Sequence, residues 1–211
     1  VESIFSLAIT LLFWLSGGFS WLDSIVRGYG HSELVTGLLF MGILFGAQTI
    51  LNVPFHIYST FVIEEKFGFN KTTPKTFIID QIKGLILMAV IGAPILALIL
   101  WIFNSVENAW LWAWIAFTVI QLALTYFAPT YLLPLFNKFE PMEDGELKSA
   151  INALAKKCDF PLTEICIMDG SKRSTKSNAF FTGFGKNKKI ALFDTLIENH
   201  STEGLVGVLA H

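Results

Sequence analysis

Four apolar runs, at residues 4–22, 34–63, 82–103 and 110–136, leave this chain few folds to choose from. Each is long enough to cross the roughly 30 Å hydrocarbon core of a bilayer as a helix. Inside lipid a backbone has to satisfy its own hydrogen bonds, so the runs are expected to be membrane helices. The first lacks the basic start and small-residue cleavage site of a signal peptide and reads as a span. The second would cover about 45 Å at about 1.5 Å per residue, so it must tilt, bend near Pro54 or emerge from the bilayer. The third carries Gly92 and Pro94, a kink signal, and the fourth opens on Trp110, Trp112 and Trp114, where an interfacial belt belongs. A composition of 53% hydrophobic and 15% charged residues fits a lipid-embedded chain. The formal charge of −2 gives no electrostatic footprint for nucleic acid, which is excluded as a partner.

Basic residues set the orientation. Lys66, Lys71 and Lys75 follow the second run and Lys138 follows the fourth, whereas 104–109 has no basic residue and 23–33 only Arg27. The reading is therefore a transmembrane region over 1–136 with about four spans, and a cytosol-facing segment over 137–211. The sequons at Asn70 and Asn199 then stay unmodified. Cys158 and Cys166, with no CxxC spacing, read as small buried hydrophobes on a reducing side of the membrane.

Two polar stripes cross the apolar runs. Gln48, Asn52 and His56 recur every four residues, continued by Ser59 and Thr60, and Thr118, Gln121 and Thr125 form a second stripe. Hydrocarbon does not tolerate such faces, so they meet protein or water. From spacing alone, interhelical hydrogen bonding and a water-filled cavity stand equally.

Beyond residue 137 the pattern turns globular. Residues 141–145 read as a turn, and "GELKSAINALAKKC" as an amphipathic helix with Leu147, Ile151 and Leu154 on one side. "EICIMD" reads as a strand, and "SNAFFTG" and "KKIALFD" as two strands joined through "FGKN" in a hairpin. Asp194 is expected to cap a short helix, "TLIEN". Lys172, Arg173, Lys176, Lys186, Lys188 and Lys189 read as solvated turn cations in preference to a site for anionic lipid head groups. The final stretch, "STEGLVGVLAH", reads as a helix capped by Ser201, with Leu205, Val208 and Leu209 on one face and Gly204, Gly207 and His211 on an adjoining stripe. Taken alone, a helical His such as His211 is more often structural than a ligand.

Longer strings carry a resemblance. "IEEKFGFNKTTPKTFIIDQIKG", "APTYLLPLFNKFEPMEDGELK" and "FPLTEICIMDGSKRSTKSNAFFTGFGKNKKIALFDTLIENHSTEGLVGVLAH" closely resemble the type I CAAX prenyl endopeptidases, integral-membrane zinc metalloproteases. The resemblance implies a mainly α, polytopic membrane protein, part of a helical barrel around a chamber, with an α+β zincin-like catalytic segment. It implies that "VLAH" runs into an HExxH motif whose first zinc ligand is His211, with one zinc per complete chain. The general-base Glu, the second His and a further Glu ligand are then expected beyond His211, so no catalytic residue lies within the chain and these 211 residues alone are expected to be inactive. A start at Val1 fits the same expectation of a fragment or processed piece.

The resemblance further implies that an extended peptide lies along "SNAFFTG", bordered by Asn178, Ala179 and Phe180, with Gly204 and Gly207 letting the zinc helix approach the sheet. It favours the cavity reading, with Gln48, Asn52 and His56 lining the chamber. Lys176 and Phe181 stand where His and Tyr are frequent, which bears on substrate preference. The expected function is zinc-dependent membrane endopeptidase activity, a hydrolase cutting prenylated CAAX-type substrates near their C-terminus. The site would face the cytosol from the endoplasmic reticulum membrane in a eukaryote or the inner membrane in a bacterium. The alternatives are a general membrane-protein processing or quality-control protease, and a non-catalytic binding or transport module. The last predicts paired repeats or broken helices in corresponding halves, which the runs do not show.

Overall fold

A computed structural model describes residues 2–184 and 187–210. It divides into two compact units, Val1–Ile63 with Gln81–Thr118, and Glu64–Asp80 with Val119–His211.

The chain opens with α1 (Glu2–Leu15) and α2 (Gly18–Arg27), which bend by 68° at residues 16–17. Two adjacent glycines make the corner. Gly17 takes a positive φ of 77°, and a Cβ on Gly18 would run into the ring of Phe13. The first apolar run is thus two helical arms and not one straight rod. Next, α3 (Glu33–Tyr58) passes through Pro54 unbroken and widens into a π-helical stretch at Ser59–Glu64. Of the three ways open to this run, to tilt, bend near Pro54 or emerge, the structure shows a helix that continues past Pro54 and changes its hydrogen-bond ring at Ser59–Glu64.

The third run resolves into α4 (Pro74–Leu87), a π-helical stretch at Met88–Gly92, and α5 (Ala93–Ser105) with Pro94 in its first turn. The kink signal at Gly92 and Pro94 therefore marks where the helix changes its hydrogen-bond ring. The fourth run is α6 (Ala109–Tyr131) followed by the single turn α7 (Leu133–Phe136). Three continuous stretches, Glu33–Glu64, Pro74–Ser105 and Ala109–Phe136, are long and apolar enough to cross a membrane, and the bent pair α1 and α2 makes a fourth if counted as one span. Where α3 passes α5, a Cβ on Gly37 would come within 2.9 Å of the Leu100 Cδ1 atom, so the missing side chain sets that approach.

The second unit holds a four-stranded sheet in the order β1 (Phe139–Pro141), β2 (Leu162–Met168), β4 (Asn187–Phe193), β3 (Ala179–Phe184). β1 and β3 run antiparallel to their neighbours, and β2 runs parallel to β4. The central strand β4 buries three consecutive residues, Ile190, Ala191 and Leu192, because both its faces are covered. One face carries the core. Ile165, Ile190 and Leu192 pack there with Ile151 of α8 (Glu146–Lys157), Leu196 of α9 (Asp194–Asn199) and Leu205 of α10 (Thr202–Ala210). The opposite face presents Glu164, Cys166, Thr182 and Lys189, whose register puts them side by side.

The expected elements of this segment form, with β1 as an addition: Pro141, expected to open a turn, ends a strand that pairs with Cys166. The "FGKN" link includes residues 185–186, which lie outside the described residues.

Candidate substrate edge and metal helix

β3 is the outermost strand, paired on one side to β4 alone. In an antiparallel ladder, alternate residues turn their main chain toward the partner. Asn178 does so, its carbonyl accepting from the Phe193 amide at 3.0 Å, so Phe180 and Thr182 follow it inward. Ala179, Phe181 and Gly183 turn outward by the same alternation, and the Phe181 side chain is 53% exposed. Of the three residues expected to border a peptide, Ala179 alone has its main chain on the open side. Its amide is covered by the Asn178 Oδ1 atom at 2.9 Å.

The segment leading into β3 is held on both flanks. On the inner flank the Lys176 carbonyl accepts from the Thr195 hydroxyl at 3.0 Å, and the Ser177 hydroxyl donates to the Thr195 carbonyl at 3.1 Å. On the outer flank the Thr175 amide donates to the Phe69 carbonyl, and the Lys71 amide to the Arg173 carbonyl, each at 3.0 Å, around an antiparallel bridge between Asn70 and Ser174. Arg173 fixes this junction. Its guanidinium grips both oxygens of Asp80 at 2.8 and 3.0 Å and donates to Asn137 Oδ1 at 2.8 Å and to the Phe136 carbonyl at 2.7 Å.

The reading of these cations as solvated turn residues is therefore corrected at four positions. Besides Arg173, Lys176 pairs with Glu64 at 2.7 Å, Lys188 sits over the Phe160 ring at 4.4 Å, and Lys189 pairs with Glu164 at 2.5 Å. Lys186 lies outside the described residues. No local pattern pointed to the Arg173–Asp80 pair. Its one signal was Asp80 itself, a carboxylate at the edge of an apolar run, where an unpaired charge is costly.

The Glu164–Lys189 contact holds the Glu164 carboxyl below its usual range, chiefly through its hydrogen bond, and raises the Lys189 ammonium by the same bond. Burial, aided by Glu164, pushes the Cys166 thiol up to about 11. The two cysteines are not the matched buried pair expected, since Cys158 is exposed and Cys166 half-buried. β2 explains the latter: Cys166 stands on the sheet face away from the core.

α10 begins as expected, with Ser201 Oγ accepting from the Gly204 amide at 3.3 Å, and buries Leu205. Among the described residues the glycine stripe makes no close approach to the sheet. A Cβ on Gly207 would meet nothing within 4 Å, and one on Gly204 only atoms of Ser201 and His200. His211 follows α10 directly in sequence and lies outside the described residues. Asp194 opens α9 and accepts from the Thr195 and Ser171 amides at 2.8 Å each and from the Ser171 hydroxyl, tying the turn after β2 to the helix. Among the described residues no group of three or more His, Cys, Asp or Glu side chains is placed to hold a metal. They do not make up a zinc site by themselves.

In the first unit, Gln48 Nε2 donates to Ser6 Oγ at 3.0 Å and Asn52 Oδ1 at 3.3 Å, and His56 stands 3.6 Å from Glu2. The stripe thus joins α3 to α1. Gln48 also borders a cavity of about 440 Å³ lined by Ile9, Phe13, Phe19, Leu44 and Leu51, whereas Asn52 and His56 are not part of that lining. On α6, Thr118 and Thr125 return their hydroxyls to the Trp114 and Gln121 carbonyls at 2.8 Å, which satisfies them within their own helix.

The fold defines a polytopic helical membrane protein that carries a small mixed sheet. Residues 1–138 match the family model described as the CAAX prenyl protease N-terminal region with five membrane helices, and residues 141–211 match peptidase family M48. The chain belongs to that family. It is 46% identical to CAAX prenyl protease 1 of Saccharomyces cerevisiae over 88% of its own length and 42% of the relative's. Against the probable CAAX prenyl protease 1 of Schizosaccharomyces pombe it is 40% identical over 100% of the chain and 48% of the relative. The crystal structure of S. mikatae Ste24p superposes with a TM-score of 0.90 at 43% identity, covering 100% of this chain and 52% of that one. The chain thus spans about half the length of the relatives it matches. The family description counts five membrane helices, whereas among the described residues three stretches are long and apolar enough to cross, or four with the bent pair taken as one span.

Proposed function

We propose that the complete protein is a zinc-dependent endopeptidase of the membrane that cuts prenylated, CAAX-type substrates near their C-terminus, from the cytosolic face of the endoplasmic reticulum membrane in a eukaryote. One observation carries the reading beyond family membership: β3 is an edge strand with outward main-chain groups, in the same compact unit as the helix that leads to His211. An extended peptide is held on such an edge by hydrogen bonds that ignore its side chains, which suits an endopeptidase. His211 is proposed as a zinc ligand, completed by residues outside this chain; bound zinc in such sites lowers the pKa of a water to about 7. The chain's own part is to bind and orient: Ala179, Phe181 and Gly183 along the peptide, with Asn178 covering the Ala179 amide until the peptide arrives. Gln48, Asn52 and His56 are proposed to face an intramembrane chamber.

The test is hydrolysis of an S-farnesylated C-terminal peptide by the complete, detergent-solubilised protein, with zinc measured in the same sample. About one zinc per chain, with activity removed by chelation and restored by zinc, is the expected result. Zinc-free protein that still cut the peptide would overturn the proposal.

A further inference from the structure

The sheet face turned away from the core is polar, and the end of α6 lies over it. Glu164 of β2, Lys189 of β4 and Thr182 of β3 form one row across three strands. A cavity of about 500 Å³ opens above that row, within the range of about 300–1,000 Å³ usual for a small-molecule site. Glu164, Thr182 and Lys189 line one side of it, and Tyr126, Phe127 and Tyr131 of α6 line the other.

Three properties of the lining define what fits. Among the described residues Glu164 and Lys189 are its only charged side chains, and they pair with each other while staying 38% and 42% exposed. The cavity therefore offers one anion, one cation and no net field, which suits a ligand carrying both signs and gives no advantage to a net anion. The aromatic side is bent: the Phe127 ring meets Tyr126 edge-on at 4.8 Å between centroids and lies 6.0 Å from Tyr131. Aromatic walls of this kind attract quaternary ammonium groups. Thr130 also borders the cavity, and its hydroxyl, that of Thr182 and the Tyr131 phenol have no hydrogen-bond partner among the described residues. Thr118 and Thr125, further back on α6, return theirs to their own helix.

Depth in the membrane fixes the source of such a ligand. The stretch Ala109–Phe136 is long and apolar enough to cross. At about 1.5 Å per residue, about 20 residues span a core of about 30 Å. Counted from the belt of Trp110, Trp112 and Trp114, that length ends near Tyr131, at the opposite headgroup boundary. Val119 and Leu122, on the same face of α6 as Tyr126, are 60% and 62% exposed and continue the cavity as an apolar strip toward the hydrocarbon.

We propose that this cavity binds the phosphocholine headgroup of a membrane lipid. Lys189 and the Thr130 and Thr182 hydroxyls take the phosphate, Glu164 and the wall of Tyr126, Phe127 and Tyr131 take the trimethylammonium, and the acyl chains lie along Val119 and Leu122. A lipid held this way fixes the sheet to the boundary of the bilayer. The site needs neither zinc nor peptide, so its test is independent of the endopeptidase assay.

The experiment is native mass spectrometry of the complete protein in maltoside micelles with phosphatidylcholine, phosphatidylethanolamine or phosphatidylglycerol of identical acyl chains. One phosphatidylcholine per chain is expected, held about fivefold or more tightly than either of the others. Tyr131→Leu should bring phosphatidylcholine down to the level of phosphatidylethanolamine, because only the quaternary group depends on the aromatic wall. Thr182→Val should weaken both, because both share the phosphate. A phosphatidylcholine with a photoactivatable choline group provides a readout on the unsubstituted protein, and it should label residues 126–131 and the row of Glu164, Thr182 and Lys189. Soluble glycerophosphocholine, which lacks the chains, should displace the lipid only at millimolar concentration or above. Equal retention of the three lipids, preference for phosphatidylglycerol, unchanged phosphatidylcholine binding in both variants, or labelling confined to other segments would each overturn the site. Displacement by micromolar glycerophosphocholine would make the ligand a free metabolite and overturn its assignment as a lipid.

Discussion

The two compact units solve opposite solvent problems with the same residue types. In the first, Ile50 of α3 is 72% exposed, and in the second, Ile151 of α8 is 0% exposed. Ile50 lies in a stretch long and apolar enough to cross a membrane, where exposed apolar surface suits lipid, and association between these helices uses small residues such as Gly37 and polar links such as Gln48 to Ser6. Around Ile151 the medium outside is water, so apolar side chains from α8, α9, α10 and the sheet turn inward on one another. Polar groups follow the same division. Midway along α1 and α3 the first unit is linked by neutral amides and hydroxyls, with its charged groups, His56 with Glu2 and Arg27 with Asp23 and Glu33, nearer the helix ends, whereas the second unit fixes its junctions with ion pairs. Hydropathy alone therefore does not say how an apolar residue is used, and burial has to be read in opposite senses around Ile50 and Ile151.

The most direct way to break this comparison is to make one substitution in both places. Ile151→Ala is expected to destabilise the second unit by about 2–5 kcal/mol, the cost of lost burial plus a residual cavity. Ile50→Ala exchanges one lipid-facing apolar surface for a smaller one and should stay within about 0.5 kcal/mol. Thermal unfolding of the detergent-solubilised complete protein reads both. A large loss at Ile50 would mean that α3 has a protein neighbour on that face, and that exposure there is not lipid contact.

A smaller effect is expected at the junction before β3. Arg173→Ala leaves the Asp80 carboxylate, about three-quarters buried, without its partner, which should cost about 1–3 kcal/mol. Arg173→Lys restores the charge but not the two-pronged grip or the contacts to Asn137 and the Phe136 carbonyl, so only part of the loss should return. Full recovery with Lys, measured by the same unfolding assay, would show that the charge alone matters and that the fork geometry does not.

How much of this was legible beforehand divides along the same line. Short apolar runs in "KKIALFD" and "SNAFFTG" on either side of the "FGKN" turn marked two paired strands, and Ser201 marked the start of α10, because these signals are local. The corner at Gly17 and the π-helical stretches after Tyr58 and Leu87 left no trace in hydropathy, since a bent or widened helix is as apolar as a straight one. β1, with three residues, is too short to show a period and exists because β2 offers it an edge. The edge candidates Asn178, Ala179 and Phe180 came from a family string, but which of them faces outward is decided by pairing with β4, which a single sequence does not reveal. The Arg173–Asp80 pair spans 93 residues, so spacing alone missed it.

The smallest expected effect sharpens the contrast in polar chemistry. The Glu164 carboxyl is held below its usual value by Lys189, so the pair's contribution is present above the unfolded carboxyl value and is lost as pH falls through the depressed folded one. Lys189 is raised by the same contact, so on the alkaline side the contribution is full below its unfolded value and fades as pH climbs through the raised one. Both side chains are partly exposed, which keeps the pair below about 1 kcal/mol. Glu164→Gln should therefore flatten the acid limb of a Tm-against-pH profile by a small amount. Gln48→Leu, which removes a neutral link between α1 and α3, should lower Tm by a similar amount at every pH, since nothing in that link ionises. An acid limb unchanged in Glu164→Gln would place the acid sensitivity in another group. A pH-dependent loss in Gln48→Leu would mean that the membrane unit, too, relies on charge, through the neighbouring His56 and Glu2.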